Sequence, residues 1–166
     1  MTDGEVLAQV DAAFVKAPRP EHFAERPLDL ERKDHDDLLR SRTRETLRIS
    51  DVEMPGYNPV NCMTPEAFRY YFPTLARLGL AKDGEPFLTD LVPFHLCDAL
   101  YDKKGRHTHR WLSILDKPQR AAILAYVRHV ASTRRHIMEH YGADEQELDR
   151  AVQFWEIECK SRDGDA

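Results

Sequence analysis

Glycine is scarce in this 166-residue chain. There are seven, and none falls in a GxGxxG, GxxxxGK[ST] or GxSxG pattern. Those loops use glycine to let the backbone approach a phosphate or to expose a nucleophile on a sharp turn. Nucleotide-binding loops and a serine-hydrolase elbow are therefore excluded, and HExxH is missing as well. Cysteine is equally sparse. Cys62, Cys97 and Cys159 are odd in number and widely spaced, with no CxxC pair. This argues against a disulfide framework and a zinc knuckle, and fits reduced thiols in a cytoplasm. No apolar run approaches the roughly 20 residues needed to cross a bilayer. The opening MTDGEVLAQV lacks both the basic segment and the apolar core of a secretion signal. Positive charge is in deficit, with 24 Lys and Arg against 29 Asp and Glu and a formal net charge of −5, which argues against a nucleic-acid partner. Period-two alternation and Asn-Gly hairpin turns are missing too, so strands are not expected.

What is present is a globular balance of 42% hydrophobic and 32% charged residues, at a length that suits one domain over residues 1–166. The tail SRDGDA, from about residue 161, is expected to fray. Helical periodicity dominates, and the pattern predicts an all-α single-domain bundle of about six helices around a long central helix spanning about 116–141.

That central stretch reads DKPQRAAILAYVRHVASTRRHIMEHYG. Asp116 is a good N-cap, and Gln119 stands where a capping box places Glu or Gln. Pro118 is tolerated in the first turn, where N–H groups lack helical partners, and Gly142 supplies a stop. Between them Ile123, Leu124, Val127, Val130, Ala131, Ile137, Met138 and Tyr141 form one stripe. At 1.5 Å per residue such a helix would span roughly 35 Å, the width of a small domain.

Around it the chain predicts a first helix over 3–17, ended by Pro18 and Pro20. A charge-rich second follows over about 34–48, in which the DHDD run makes a solvated first turn. In a helix those consecutive acids diverge by about 100° each and do not converge on one ion. Thr64 caps a third helix with Pro65 at its first position. Phe68, Tyr71, Phe72, Leu75 and Leu78 form its core face, and Pro73 predicts a kink or break. A fourth, capped by Asp90, carries LVPFHL. Asp144 caps the last, which bears Leu148, Ala151, Val152, Trp155 and Cys159.

Few residues stand out as chemistry. Arg134 falls within the apolar stripe, where a guanidinium either snorkels to water from the stripe's edge or pairs with a carboxylate of another helix; the first is expected. His129, His136 and His140 share the opposite face with Ala122, Ala125 and Ser132. His136 and His140 are four apart and could reach one ion, but a third ligand and a general base are wanting, so a solvated face is expected. No metal and no cofactor is assigned, and no catalytic residue. The loop 102–109 carries an HxH pair that reads as exposed surface. Cys97 lies two residues after His95, which on a helix turns the two side chains about 200° apart, too far for a nucleophile and its base.

The order of MTPEAFRYYFP, a helix with LVPFHL, LDKPQRAAILAYVRHV and a late AVQFW resembles a family of small bacterial proteins known only as a domain of unknown function. Its pattern is a TPEAFRYFLP-like helix, an L-S-x-x-Q-R helix start and a terminal Trp helix. The resemblance covers roughly residues 60–156, with a looser fit before, and this chain departs from the pattern in a longer Arg- and His-rich end to the central helix. It implies the helical fold and a bacterial cytoplasm, and it supplies no activity or site.

Absent catalytic motifs, small size and negative charge favour a non-enzymatic protein-binding domain over an enzyme. One such role is an immunity-type inhibitor of a bacterial toxin or effector, whose negative charge would speed association with a basic partner. His129, His136, His140 and Arg134 are the candidate partner-binding residues. The alternatives are a metal- or ligand-binding bundle that uses the three histidines, and an enzyme of unrecognised type.

Overall fold

The computed structural model describes residues 1–54, 57–96, 111–140 and 145–160. Cys97, the 102–109 loop with its HxH pair, Tyr141, Gly142, the Asp144 cap and the tail from 161 lie outside them. Among the described residues seven α-helices form: α1 (Asp3–Phe14), α2 (Leu30–Ser41), α3 (Pro65–Leu80), α4 (Glu85–Asp90), α5 (Lys117–Thr133), α6 (Arg135–His140) and α7 (Glu145–Lys160). No strand forms among them; extended backbone meets only at the isolated Ala24–Met63 bridge. The domain is all-α.

α5 lies between α1 and α7, and α3 packs on α1 and α4. The cap at its start is the expected one. Asp116 accepts from the Gln119 N–H at 2.9 Å, and the Gln119 side chain accepts from the Asp116 N–H at 3.3 Å. A single stripe does not describe this helix. Ile123, Val127 and Val130 are buried, but so are Ala122, Tyr126 and His129 on other sides, because neighbours cover it from more than one direction.

The unbroken run to 141 is not observed. Arg134 leaves helical geometry at φ −124° and ψ 7°, dividing the stretch into α5 and α6. Ser132 and Thr133 both turn their hydroxyls onto the His129 carbonyl, at 2.9 and 2.7 Å. Such back-bonding competes with the helix ladder, and it falls just before the bend.

Pro73 breaks nothing: α3 continues through it to Leu80. Proline in a helix interior costs about 3 kcal/mol. Phe68, Tyr71, Phe72 and Leu75 are all fully buried along the same helix, and each contributes about 1.5–3 kcal/mol, so packing outweighs the proline. Phe72 meets Phe14 at 5.0 Å between ring centres, and Phe68 stacks on Trp111 at 4.2 Å. The indole N–H groups of Trp111 and Trp155 donate to the carbonyls of His95 and Leu96, at 3.0 and 2.8 Å. These carbonyls lie at the end of the π-helical turn Leu91–His95 that continues α4. Asp90 thus sits at the end of α4, and the helix begins at Glu85 instead of being capped by Asp90.

α2 begins at Leu30, about one turn before its expected start, and ends at Ser41, well short of its expected end near 48. Asp29 caps it, accepting from the Arg32 N–H at 2.8 Å, and it stops at Ser41 because the Thr46 hydroxyl captures the Thr43 N–H at 2.7 Å. The DHDD run therefore lies mid-helix, and Asp36 is buried rather than solvated. Its carboxylate accepts from the Phe23 and Ala24 N–H groups at 2.7 and 2.9 Å. Helix ends elsewhere are closed by arginines. Arg44 donates to Phe14 O at the last residue of α1, to Ala17 O just beyond it and to Tyr70 O in α3, at 3.1, 3.2 and 2.7 Å, and α1 ends at Phe14 rather than 17. Arg19 does the same for α2, through Arg40 O and Arg42 O.

Candidate functional site

The start of α1, the end of α3, α4 and the α5–α6 bend converge on one cleft of about 440 Å³, whose walls include Asp3, Gly79, Lys82, Glu85, Arg134 and His136. Its inner edge is a three-residue cluster. Asp3 stands in the first turn of α1, placed by a Thr2–Glu5 capping box. Its Oδ1 lies 2.6 Å from His129 Nε2, and its Oδ2 accepts from Arg134 Nη2 at 2.7 Å. With His129 donating, Asp3 is held below the usual carboxylate range, first by that hydrogen bond and also by the charge and hydrogen bond of Arg134.

This corrects two expectations. His129 is inside the protein, its side chain only 3% exposed, so the three histidines do not make one solvated face. α1 covers that side of α5, which the sequence of α5 alone does not record. Arg134 does not simply snorkel to water: it takes the alternative role and pairs with a carboxylate from another helix, with its side chain 23% exposed. His136 and His140 are exposed on α6, and His136 reaches the cleft wall. Among the described residues no group of three His, Cys, Asp or Glu side chains is placed to hold a metal ion, so His129, His136 and His140 do not converge on one.

Sequence reasoning missed three residues here. Asp3 was legible only as the start of a helix, and Lys82 and Glu85 only as parts of a turn. Tyr126 is the fourth omission. Its hydroxyl is fully buried, has no hydrogen-bond partner among the described residues and ends beside Gly79, where a Cβ would stand 2.7 Å from it. Burial raises its pKa far above the ordinary phenol range, so it stays a neutral donor at any physiological pH. No spacing rule would have drawn attention to it, since an aromatic at helical spacing reads as core.

A second feature is made by α2 together with the segment that reaches Tyr57. Leu30 is 86% exposed, Met54 58% and Tyr57 41%. Tyr57 rests its ring on that of His35 at 4.4 Å and donates its hydroxyl to Asp34 at 3.3 Å. Its N–H also donates to Met54 O at 3.2 Å. Leu30 is one helical turn before Asp34, on the same face. Asp29, Glu31, Asp34 and Asp37 are exposed around them. Arg32 and Lys33 on the same helix are ion-paired to Asp29 and Asp37 at 4.0 and 3.5 Å.

The chain belongs to the family of unknown function DUF6714, whose model matches residues 2–158. The family therefore takes in α1 and α2 along with the later segments that carry the resemblance. No curated protein and no solved structure gives a match. No described helix is long and apolar enough to cross a membrane.

Proposed function

We propose that this family member is a non-enzymatic protein-binding domain of the bacterial cytoplasm, of the kind that masks a toxin or effector as an immunity-type inhibitor. The observation that carries the reading is the α2 face. Large apolar side chains left in water are characteristic of interaction surfaces when they gather in one patch, and here Leu30, Met54 and Tyr57 are exposed, with Tyr57 seated on His35 and Asp34 of the acid-bearing α2. A partner with a basic rim around an apolar centre matches that pattern, and opposite charge accelerates its capture. The net charge of −5 acts in the same direction at longer range.

The test compares capture by tagged wild type with capture by the Leu30→Lys, Met54→Lys double variant. Both positions are largely exposed, so stability should change by less than about 0.5 kcal/mol. Any specifically captured protein should be lost from the variant, and adding the wild-type domain back to that protein should suppress its activity. Equal capture by the two forms would refute the α2 surface. The same assay on His136→Gln with His140→Gln asks whether α6 contributes; with contact on α2, capture is unchanged. His129 has no direct part in this surface, because it is committed to Asp3 inside the fold.

A further inference from the structure

We propose that Tyr57, Glu31 and Asp34 form a seat for an arginine side chain presented by the partner of the α2 face. The seat rests on the reading of that face as a protein-binding surface, and it adds the group that the face recognises.

Pairing along α2 singles out the two acids. Asp29, Asp36 and Asp37 each have a basic neighbour in that helix: Arg32 at 4.0 Å, Arg40 at 3.7 Å and Lys33 at 3.5 Å. Glu31 and Asp34 have no Lys or Arg partner among the described residues. Glu31 meets His35, and Asp34 meets the Tyr57 hydroxyl. They stand three residues apart and so share a face of α2. Tyr57 is tied to that face, since its hydroxyl donates to Asp34 at 3.3 Å and its ring lies 4.4 Å from that of His35. Burial, the charge and hydrogen bond of Asp34 and the charge of Glu31 all raise its pKa, so the fields of both carboxylates reach this phenol and it stays neutral. Tyr57 nonetheless keeps 41% of its surface in water.

His35 is the independent observation. Its side chain is 2% exposed, and its Nε2 makes no hydrogen bond among the described residues, although Glu31 Oε1 lies 3.5 Å away. An unmet buried nitrogen thus faces an unneutralised carboxylate, and the pair lacks a donor. Glu31 is 55% exposed, so a donor from a partner reaches its carboxylate directly from solvent. The shape of that donor follows from what surrounds it. A guanidinium is planar and carries five N–H groups in a fork. It stacks on an aromatic ring and donates to two carboxylates at once. An ammonium is a compact point charge that cannot lie flat on the ring while spanning both acids.

Nuclear magnetic resonance titration of the full chain tests this with three helical peptides of one pattern: leucine with arginine, leucine with lysine, and leucine with glutamate. The arginine peptide should saturate one site per chain and shift the amides of α2 and Tyr57. It should bind about tenfold or more tighter than the lysine peptide, as loss of a charge-assisted hydrogen bond requires. The glutamate peptide should not bind. Glu31→Gln with Asp34→Asn should weaken the arginine peptide by about tenfold or more. That variant should keep the wild-type melting temperature, since both side chains are exposed. Tyr57→Leu, which keeps an apolar surface, should bring the arginine and lysine peptides to equal affinity. Equal affinity of the two basic peptides for wild type would overturn the seat. So would binding unchanged in the Glu31 and Asp34 variant, or no saturable binding at about 1 mM arginine peptide. The neutral Leu30→Gln, Met54→Gln variant separates the seat from the apolar surface. Binding lost there and kept in Glu31→Gln, Asp34→Asn overturns the seat and leaves the apolar surface standing; the reverse pattern upholds the seat and removes the apolar surface.

Discussion

Removing the Asp3 carboxylate isolates the contact that ties α1 to the end of α5. In Asp3→Ala, His129 loses the acceptor 2.6 Å from its Nε2, and its side chain is too buried, at 3% exposure, for water to replace it. An orphaned buried donor costs about 1–3 kcal/mol. Arg134, at 23% exposure, regains water more readily, and its half of the cluster contributes at most about 1 kcal/mol. The sum is about 2 kcal/mol. At about 2–4 °C per kcal/mol for a domain of this size, the melting temperature should fall by about 4–8 °C. Asp3→Asn should lose less, because its amide oxygen still accepts from His129. Acid supplies a further check. Asp3 titrates below its ordinary value of 3.8 in the folded protein. A depressed carboxylate stabilises fully above the unfolded value, and that contribution is lost as pH falls through the folded one. The gap between wild type and Asp3→Asn should therefore be constant near neutrality and shrink below about pH 3.8. An Asp3→Ala protein that melts within about 1 °C of wild type would show the cluster to be incidental.

Gly84→Ala should prevent folding or cost about 3 kcal/mol, the upper end for overpacking, because its Cβ would stand 1.8 Å from the rigid Leu78 carbonyl; a soluble variant with normal urea unfolding would contradict the geometry. Arg44→Met should destabilise by about 1.5–3 kcal/mol, since three carbonyls lose a charged donor at once; chemical denaturation measures it, and a change under about 0.5 kcal/mol would make those bonds ornamental. Val127→Asp should abolish cooperative melting, because it buries an unpaired charge at a fully enclosed position of α5; a normal thermal transition would mean that this face is open.

The amino-acid sequence by itself determined the class of fold and several helix starts. Those features rest on local physics: a carboxylate or hydroxyl at Asp116 or Thr64 meets N–H groups only three residues away, and helical spacing of apolar side chains is written in consecutive residues. Its local rules failed where distant segments decide. Pro73 predicts an interruption on its own, yet the aromatic packing around α3 overrides it. The histidines of the 116–141 stretch look like one polar face, yet α1 closes over His129 and leaves His136 and His140 of α6 outside, because a contact between residues 3 and 129 has no signature in either neighbourhood. The choice between a snorkelling and a paired Arg134 was visible as a choice and not as an answer, since the energy of a guanidinium depends on whether a carboxylate arrives. Only the tertiary structure brings Asp3 there. It also sets Tyr126 against Gly79 and places Lys82 and Glu85 in the wall of the same cleft. Burial and convergence are properties of the packed chain, and chemistry at a site depends on both.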